Sequence, residues 1–291
     1  MDSGFHLAGI VPIAGETLDF DMPWHDSLLP IAPGYLAVEK AVVDCAEAGC
    51  ETIWVVCHND TMPLLKHRVG DYVEDPLYIN RSFERFPSQV RRRIPIYYVA
   101  VHPNDRDRRD CLGWSVLYGA VVASDFVKGI SRWLSPNKFF VSFPYGIVSA
   151  STLREHRRDI SSEDNFSLSY QGSTVLDNEH LPFSFNMEQC NYLMKQLRAN
   201  GTGRFVDYEW GKNKRDLPIE EQYSARFFTL EQVFQGLQFS QVVETPYYFN
   251  IDNWEHYRDY MAHKPEEIER PSKEILNPNR HLKGVATGEF D

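Results

Sequence analysis

Four short apolar runs, separated by stretches of helical periodicity, constrain this chain more than any other feature. The runs are Leu7–Ala14, Thr52–Cys57, Ile96–Val101 and Lys138–Phe143. Continuous apolar runs of this length suit strands buried on both faces, as in a parallel sheet covered by helices. Between the first two runs, Tyr35, Val38, Val42 and Cys45 recur at three- and four-residue spacing after Gly34. That spacing gathers them on one side of a helix, and Gly49 is positioned to end it. Trp114 to Leu134 carries a second helical pattern after Gly113. The alternation predicts neighbouring, largely parallel strands joined by right-handed crossovers.

The second half is patterned differently. Phe166 to Leu176 reads as an antiparallel strand with a turn at Gln171-Gly172. Asn186-Met-Glu-Gln189 and Thr229-Leu-Glu-Gln232 match the capping box and predict helix starts. Tyr247 to Asn250 reads as a strand of the core, and Asp252 to Ala262 as a short helix. From Lys264 the chain is charged and interrupted by proline. The expected organisation is therefore one domain over 1–263 and a tail or arm over 264–291.

Charge narrows the partners. Asp and Glu outnumber Lys and Arg by 41 to 30, a formal net charge of −11. Neutralising a phosphate backbone needs clustered cations, so the balance argues against a nucleic-acid partner. The local basic concentrations, Arg91-Arg92-Arg93 and Arg106, Arg108, Arg109, sit beside acids such as Asp105, Asp107 and Asp110 and read as solvated faces. Five cysteines are scattered without a CxxC pair, which predicts small buried apolar residues rather than a disulfide framework or zinc knuckle. No secretory leader pattern opens the chain, and no apolar run reaches the roughly 18–20 residues of a membrane span. The expectation is a cytoplasmic protein without a membrane partner. The oligomeric state, a homo-oligomer included, is left open.

Ala14-Gly15, Leu28-Leu29-Pro30, Ala46 to Gly49, Leu112 to Ser115, Phe139 to Phe143 and Tyr248 to Tyr257, in this order and spacing, resemble segments of the sugar-phosphate nucleotidyltransferases. Ala14-Gly15 matches that family's glycine-rich loop, Leu28-Leu29-Pro30 its Pro-Leu-Leu-Pro element, and Ala46-Glu47-Ala48-Gly49 the end of its first helix. Leu112-Gly113-Trp114-Ser115, followed by Gly119-Ala120, resembles its Gly-Thr-Ala segment near the nucleotide. Phe139 to Phe143 resembles the strand that carries its first metal-binding aspartate, and Tyr248 to Tyr257 its terminal Asp-containing element. The resemblance covers about 60% of the chain in outline, as order and spacing rather than identity. It implies an α/β, GT-A-like three-layer sandwich, with a mostly parallel central sheet of about seven strands and a smaller C-terminal lobe.

It also implies a transferase acting on a nucleoside triphosphate and a sugar phosphate, with Mg²⁺ neutralising the developing charge. The site it implies takes the nucleotide at Ala14, Gly15, Glu16, Gly113 and Ser115, the substrate at Tyr145 and Gly146, and the metal at Asp252. Two alternatives accompany this reading. One is a glycosyltransferase of the same fold using a nucleotide-sugar. The other is a non-catalytic relative that binds a nucleotide, a sugar or a protein.

The departures concern charge. Glu16-Thr17-Leu18 follows Gly15 where the family has an arginine, and Asp26 stands where its loop has a lysine. Tyr145 or Gly146 stands at the metal-binding aspartate after the fourth strand. A triphosphate needs cations, backbone N–H groups or a metal. This loop offers Glu16, Asp19, Asp21 and Asp26 instead, which together could gather a cation but read first as a solvated acidic loop. His25 is a candidate phosphate ligand or base, against surface decoration. Asp252, with Glu255 three residues on, equally fits a helix cap. Lys40, Lys66, His67 and Arg68 are candidates to replace the lost cations.

Overall fold

The computed structural model describes residues 5–15, 22, 24–76, 92–106, 111–130, 135–203 and 228–263. Its strands are β1 (Leu7–Pro12), β2 (Pro30–Ala32), β3 (Tyr35–Leu36), β4 (Thr52–Cys57), β5 (Tyr72–Glu74), β6 (Arg93–Ala100), β7 (Lys138–Val141), β8 (Gly146–Val148), β9 (Phe166–Ser169), β10 (Phe183–Asn186), β11 (Gln241–Glu244) and β12 (Tyr248–Asn250). Its helices are α1 (Ala37–Ala48), α2 (Met62–Val69), α3 (Pro103–Arg106), α4 (Leu112–Ile130), α5 (Ala150–Glu155), α6 (Arg157–Ile160), α7 (Met187–Gly203), α8 (Leu230–Phe234) and α9 (Trp254–Ala262).

Eight strands form one sheet in the order β11-β9-β10-β7-β1-β4-β6-β5. The four apolar runs are the contiguous block β7-β1-β4-β6, and every pairing within it is parallel. β5 and β10 add to that block antiparallel, and β11 lies parallel to β9. The sheet is thus one strand wider than the seven or so expected.

Three layers follow from neighbouring residues of β1. A Cβ on Gly9 would meet Cys45 Sγ of α1 at 2.8 Å, while Ile10 reaches toward Gly119 of α4. Successive strand residues point to opposite faces, so α1 and α4 cover opposite sides of the sheet. Both closely approach β1 because glycine stands at each contact, Gly9 on the strand and Gly119 on the helix. All six residues of β1 are buried.

The order of strands reverses at β1. The chain steps from β1 to β4 and β6 on one side, then returns to place β7 on the other. In open α/β sheets, ligands sit outside the carboxyl ends of the strands at such a reversal. The segments that leave β1 and β7 are therefore the ones to examine for function.

Several local expectations change. Tyr35 belongs to β3, in a small hairpin with β2 that turns at Gly34 (φ +73°), and α1 begins only at Ala37. Gly49 does end α1, at φ +96°, with Cys50 N–H donating to Cys45 O at 3.0 Å. The strand expected over Phe166–Leu176 stops at Ser169. A tight turn through Gln171-Gly172 follows, and then a 3-10 turn at Val175–Asp177. Both capping boxes form as read, with Asn186 and Gln189 exchanging bonds of 2.9 and 3.0 Å and Thr229 accepting from Gln232 N–H at 3.2 Å.

β12 is not a core strand of the main sheet. Among the described residues it pairs, antiparallel, with β8 alone, and its residues are half-buried. This ribbon and α9 make the smaller lobe. α9 is tied back by two buried-ring tyrosines, Tyr257 Oη donating to Pro30 O (2.8 Å) and Tyr260 Oη to Ile31 O (2.7 Å). The cap of α9 is Asn253, which accepts from His256 N–H at 2.9 Å, so Asp252 lies one residue outside the helix and does not cap it. The expected tail over 264–291 lies outside the described residues.

Candidate functional site

Leaving β1, Ile13 and Ala14 both donate their N–H to Val56 O, at 2.8 and 3.0 Å, which bends the chain across the end of β4. Gly15 then takes φ +91°. A Cβ there would lie 2.6 Å from the backbone of Cys111, just before α4. Only glycine combines that conformation with that approach. Ser115 Oγ, buried in the first turn of α4, donates to Ala14 O at 2.6 Å. Gly113 is packed as closely, since a Cβ on it would meet Val233 Cγ2 of α8 at 2.7 Å. Ala14, Gly15 and Ser115 are thus brought together beside the amino end of α4, an end that carries partial positive charge. Glu16 lies outside the described residues.

Leaving β7, Ser142 N–H donates to Ile10 O at 3.1 Å, so this segment stays alongside β1. Tyr145 O accepts from Ile251 N–H at 2.8 Å, and Gly146 pairs with Asn250 across the β8–β12 ribbon. A Cβ on Gly146 would fall 1.9 Å from His180 O. Tyr145 and Gly146 are buried. They join the reversal of the sheet to the small lobe, and Asp252 follows two residues after Asn250.

The small lobe holds a cleft of about 400 Å³. Tyr170, Glu179, Tyr248, Asn250, His256 and Asp259 are among its lining residues, and none of the described residues that the resemblance assigns to nucleotide, substrate or metal is. Glu179 Oε2 accepts from Tyr248 Oη at 2.9 Å, and Tyr248 Oη in turn accepts from His180 N–H at 2.8 Å. Burial, and then the charge of Glu179, push the Tyr248 hydroxyl well above its usual ionisation range. It stays protonated and keeps donating to the carboxylate. His180 Nδ1 lies 3.1 Å from Asn250 Oδ1, which fixes that amide at the edge of the cleft.

The donors around Asp252 bear on a metal. Its Oδ1 takes His256 Nδ1 at 2.7 Å and Asn253 Nδ2 at 3.0 Å, and its Oδ2 takes Asn250 Nδ2 at 3.2 Å. Among the described residues, no three His, Cys, Asp or Glu side chains gather as a metal site. One carboxylate ringed by nitrogen donors does not fit a Mg²⁺ site built by protein alone, because Mg²⁺ seeks an octahedron of oxygens.

Cationic candidates are engaged elsewhere. Lys40 Nζ pairs with Asp44 in the core, and Arg68 Nε lies 2.9 Å from Glu39 Oε1. Lys66 meets Asp71 on the surface at 3.3 Å. Arg92 pairs with Glu51 at 2.9 Å, and the Arg93 guanidinium stacks 4.6 Å over the Tyr72 ring. His25 is no surface decoration. Its Nδ1 accepts from Ser27 N–H at 3.2 Å, and burial, then the charge of His58, lower its pKa to about 4. At neutral pH it brings no charge to a phosphate. Asp19, Asp21, Arg91, Arg108 and Arg109 lie outside the described residues.

Sequence reasoning missed Tyr170, Glu179, His256 and Asp259. One signal was present: Tyr247 to Tyr260 is dense in aromatic, carboxylate and imidazole side chains. The run was read as core because three aromatics in a row suit a buried strand. Among the described residues β12 pairs only with β8, and its Tyr248, Phe249 and Asn250 line the cleft.

No family model and no curated protein sequence matches this chain. Solved structures do. A protein assigned as a glucose-1-phosphate thymidylyltransferase from Bacillus anthracis, in complex with a sucrose, superposes with a TM-score of 0.53. The match has 10% identity and covers 91% of this chain and 98% of that one. A UDP-glucose pyrophosphorylase complexed with UDP-glucose superposes at 0.52, with 11% identity over 89% of this chain and 98% of that one. The chain therefore has the GT-A-like fold of the nucleotide-diphospho-sugar transferases.

Proposed function

We propose that this protein is a nucleotidyltransferase-like transferase that binds a nucleotide and a sugar phosphate. The observation that carries the reading is the approach of the loop after β1 to the amino end of α4, where Ser115 Oγ meets Ala14 O at 2.6 Å. This junction lies at the reversal of strand order, in the fold of two neighbours named for nucleotide-sugar chemistry. Gly15, Glu16 and Gly113 complete the nucleotide side. Ala14, Gly113 and Ser115 are buried, so they act by shaping backbone that offers N–H groups to phosphate. Tyr145 and Gly146 hold the substrate side. In such a transfer, an oxygen of the sugar phosphate forms a bond to the α-phosphorus and pyrophosphate leaves. Mg²⁺ would arrive with the phosphates of its nucleotide, and Asp252 is the carboxylate assigned to it.

Transfer is expected to be weak. His25 is held neutral, and Lys40 and Arg68 are committed to carboxylates. Each lost charge-assisted phosphate contact costs about 1.5–3 kcal/mol, and about 1.4 kcal/mol is tenfold in rate. These commitments favour, as a second reading, a relative that binds nucleotide or sugar without turning it over.

The test pairs binding with turnover. Thermal shifts would be read with a panel of nucleoside triphosphates and nucleotide-sugars, with and without Mg²⁺. Pyrophosphate release would be measured with common sugar phosphates. A nucleotide-dependent shift with slow or absent release is expected. No shift with any nucleotide removes the proposal, and turnover above about 1 s⁻¹, an ordinary enzyme rate, removes the attenuation.

A further inference from the structure

The cleft in the small lobe has a lining chemistry that does not suit phosphate. It is lined by the carboxylates Glu179 and Asp259, and the Asp252 carboxylate is held 2.7 Å from the lining residue His256. Among the described residues no lysine or arginine lines it. Like charge repels a phosphate from such a surface.

Its walls are aromatic. Tyr170 and Tyr248 stand 5.9 Å apart by ring centroid, inclined at 58°, and Phe249 contributes a third ring. Aromatic faces attract cations through the ring quadrupole, and more strongly where water is thinned. The Glu179 carboxylate stands between these features. Its Oε2 is held by the Tyr248 hydroxyl at 2.9 Å, with Asn250 Nδ2 at 3.5 Å, while its Oε1 has no hydrogen-bond partner among the described residues. The lining imidazoles are turned to other work, His256 Nδ1 toward Asp252 and His263 Nδ1 toward Asp259 O at 2.6 Å.

We propose that this cleft binds an ammonium group, seated against the aromatic wall that Tyr170 and Tyr248 form together and paired with Glu179 Oε1. The inference rests on the reading of a phosphorylated substrate at Tyr145–Gly146. Asn250 of the cleft pairs with Gly146 across the ribbon, so one substrate would place its phosphate toward the sheet and its amine in the lobe. The substrate class is then an aminated phosphate ester rather than a neutral sugar phosphate.

Two probes differ in this group alone. Glucosamine 1-phosphate carries an ammonium where glucose 1-phosphate carries a hydroxyl. Both are titrated into the full chain by calorimetry, and choline is added as a cation with neither sugar nor phosphate. The expected result is tighter binding of glucosamine 1-phosphate by about tenfold or more, the size of one charge-assisted contact. Glu179→Gln should erase that preference, so that the two sugar phosphates bind alike. If that variant fails to fold, Asp259→Asn on the exposed side of the cleft should reduce the preference. Choline binding that is lost in Glu179→Gln would identify a quaternary amine as the source and sustain the inference. Equal affinity for the two sugar phosphates, tighter binding of the neutral one, or no binding of any probe overturns it. Nucleotide thermal shifts are read separately, so the nucleotide reading can stand while this one falls.

Discussion

At Gly146 a single methyl group would collide with backbone. A Cβ would lie 1.9 Å from His180 O, so the β8–β12 ribbon and the 180 segment would have to part. Gly172 makes the natural comparison. Its φ is +83°, but a Cβ there meets nothing within 4 Å. Gly172→Ala should cost about 1 kcal/mol through the left-handed backbone alone. Gly146→Ala should cost at least about 2 kcal/mol more. Urea unfolding of the two variants measures the difference, and equal losses would mean that the approach at Gly146 relaxes freely. His25 supplies a pH signature at the same scale. Its pKa falls from 6.5 to about 4 on folding, chiefly through burial. The unfolded chain therefore binds more protons between those values, so this group's contribution to stability rises from about pH 4 to pH 6.5. Below about pH 4 its penalty is complete, and above 6.5 it vanishes. His25→Asn should flatten that part of the stability profile, and an NMR titration of His25 with a midpoint near 6.5 would contradict the burial argument. Glycine 15 and glycine 146 could be singled out in the sequence, but what they pack against could not. Cys111 and His180 are distant in sequence, and no periodicity links them.

α1 shows what sequence periodicity leaves out at the scale of an element. Its apolar spacing predicts one buried face, yet Glu39, Lys40, Asp44 and Glu47 are buried too. The reason is coverage, since α5 and α6 pack over the side that an amphipathic helix would give to water. Each charge therefore carries a partner. Arg154 grips Glu47 with two bonds of 2.8 and 2.9 Å, and Arg157 grips Asp75, beyond β5, with bonds of 3.0 and 3.1 Å. The Glu47 side chain is 3% exposed and that of Arg154 is 32% exposed. This asymmetry makes a prediction. Arg154→Met strands a buried carboxylate, whereas Glu47→Gln leaves an arginine that can turn to water. The first should cost about 2–4 kcal/mol and the second clearly less. Calorimetric melting of both variants checks the order, and the reverse order would show that packing of the glutamate outweighs its charge. The central strands were legible because β1, β4, β6 and β7 are unbroken apolar runs. β10 and β11 were not, because FSFN and QVVE are only four residues long, the first polar at alternate positions and the second apolar only at its two central valines. Such segments become strands only when an existing sheet edge receives them.

For the whole molecule, the question is whether the small lobe unfolds with the sheet or apart from it. β1 is flanked on both sides by parallel neighbours and covered on both faces, so its amides should exchange with solvent only when the whole domain opens. The lobe is attached more lightly. β12 is half-buried and pairs with β8 alone, and α9 is tied to β2 by the hydroxyls of Tyr257 and Tyr260. Removing both hydroxyls as Tyr257→Phe/Tyr260→Phe leaves the rings in place, including the Tyr260 ring 5.4 Å from Phe249. Each lost bond is worth about 0.5–1.5 kcal/mol. If the lobe opens as its own unit, α9 and β12 should already exchange faster than β1 in the parent chain, and the double variant should quicken their exchange about tenfold or more, at about 1.4 kcal/mol per tenfold. Equal protection of β1 and α9 in the parent chain would mean that lobe and sheet form one cooperative body. The outcome bears on ligand capture. The cleft is lined by both β12 and α9, so a lobe that opens by itself can close on a ligand without disturbing the buried segment after β1, which is built on the rigid part of the sheet. Hydrogen exchange of the parent chain with glucosamine 1-phosphate should then show new protection in α9 and β12 and none in β1.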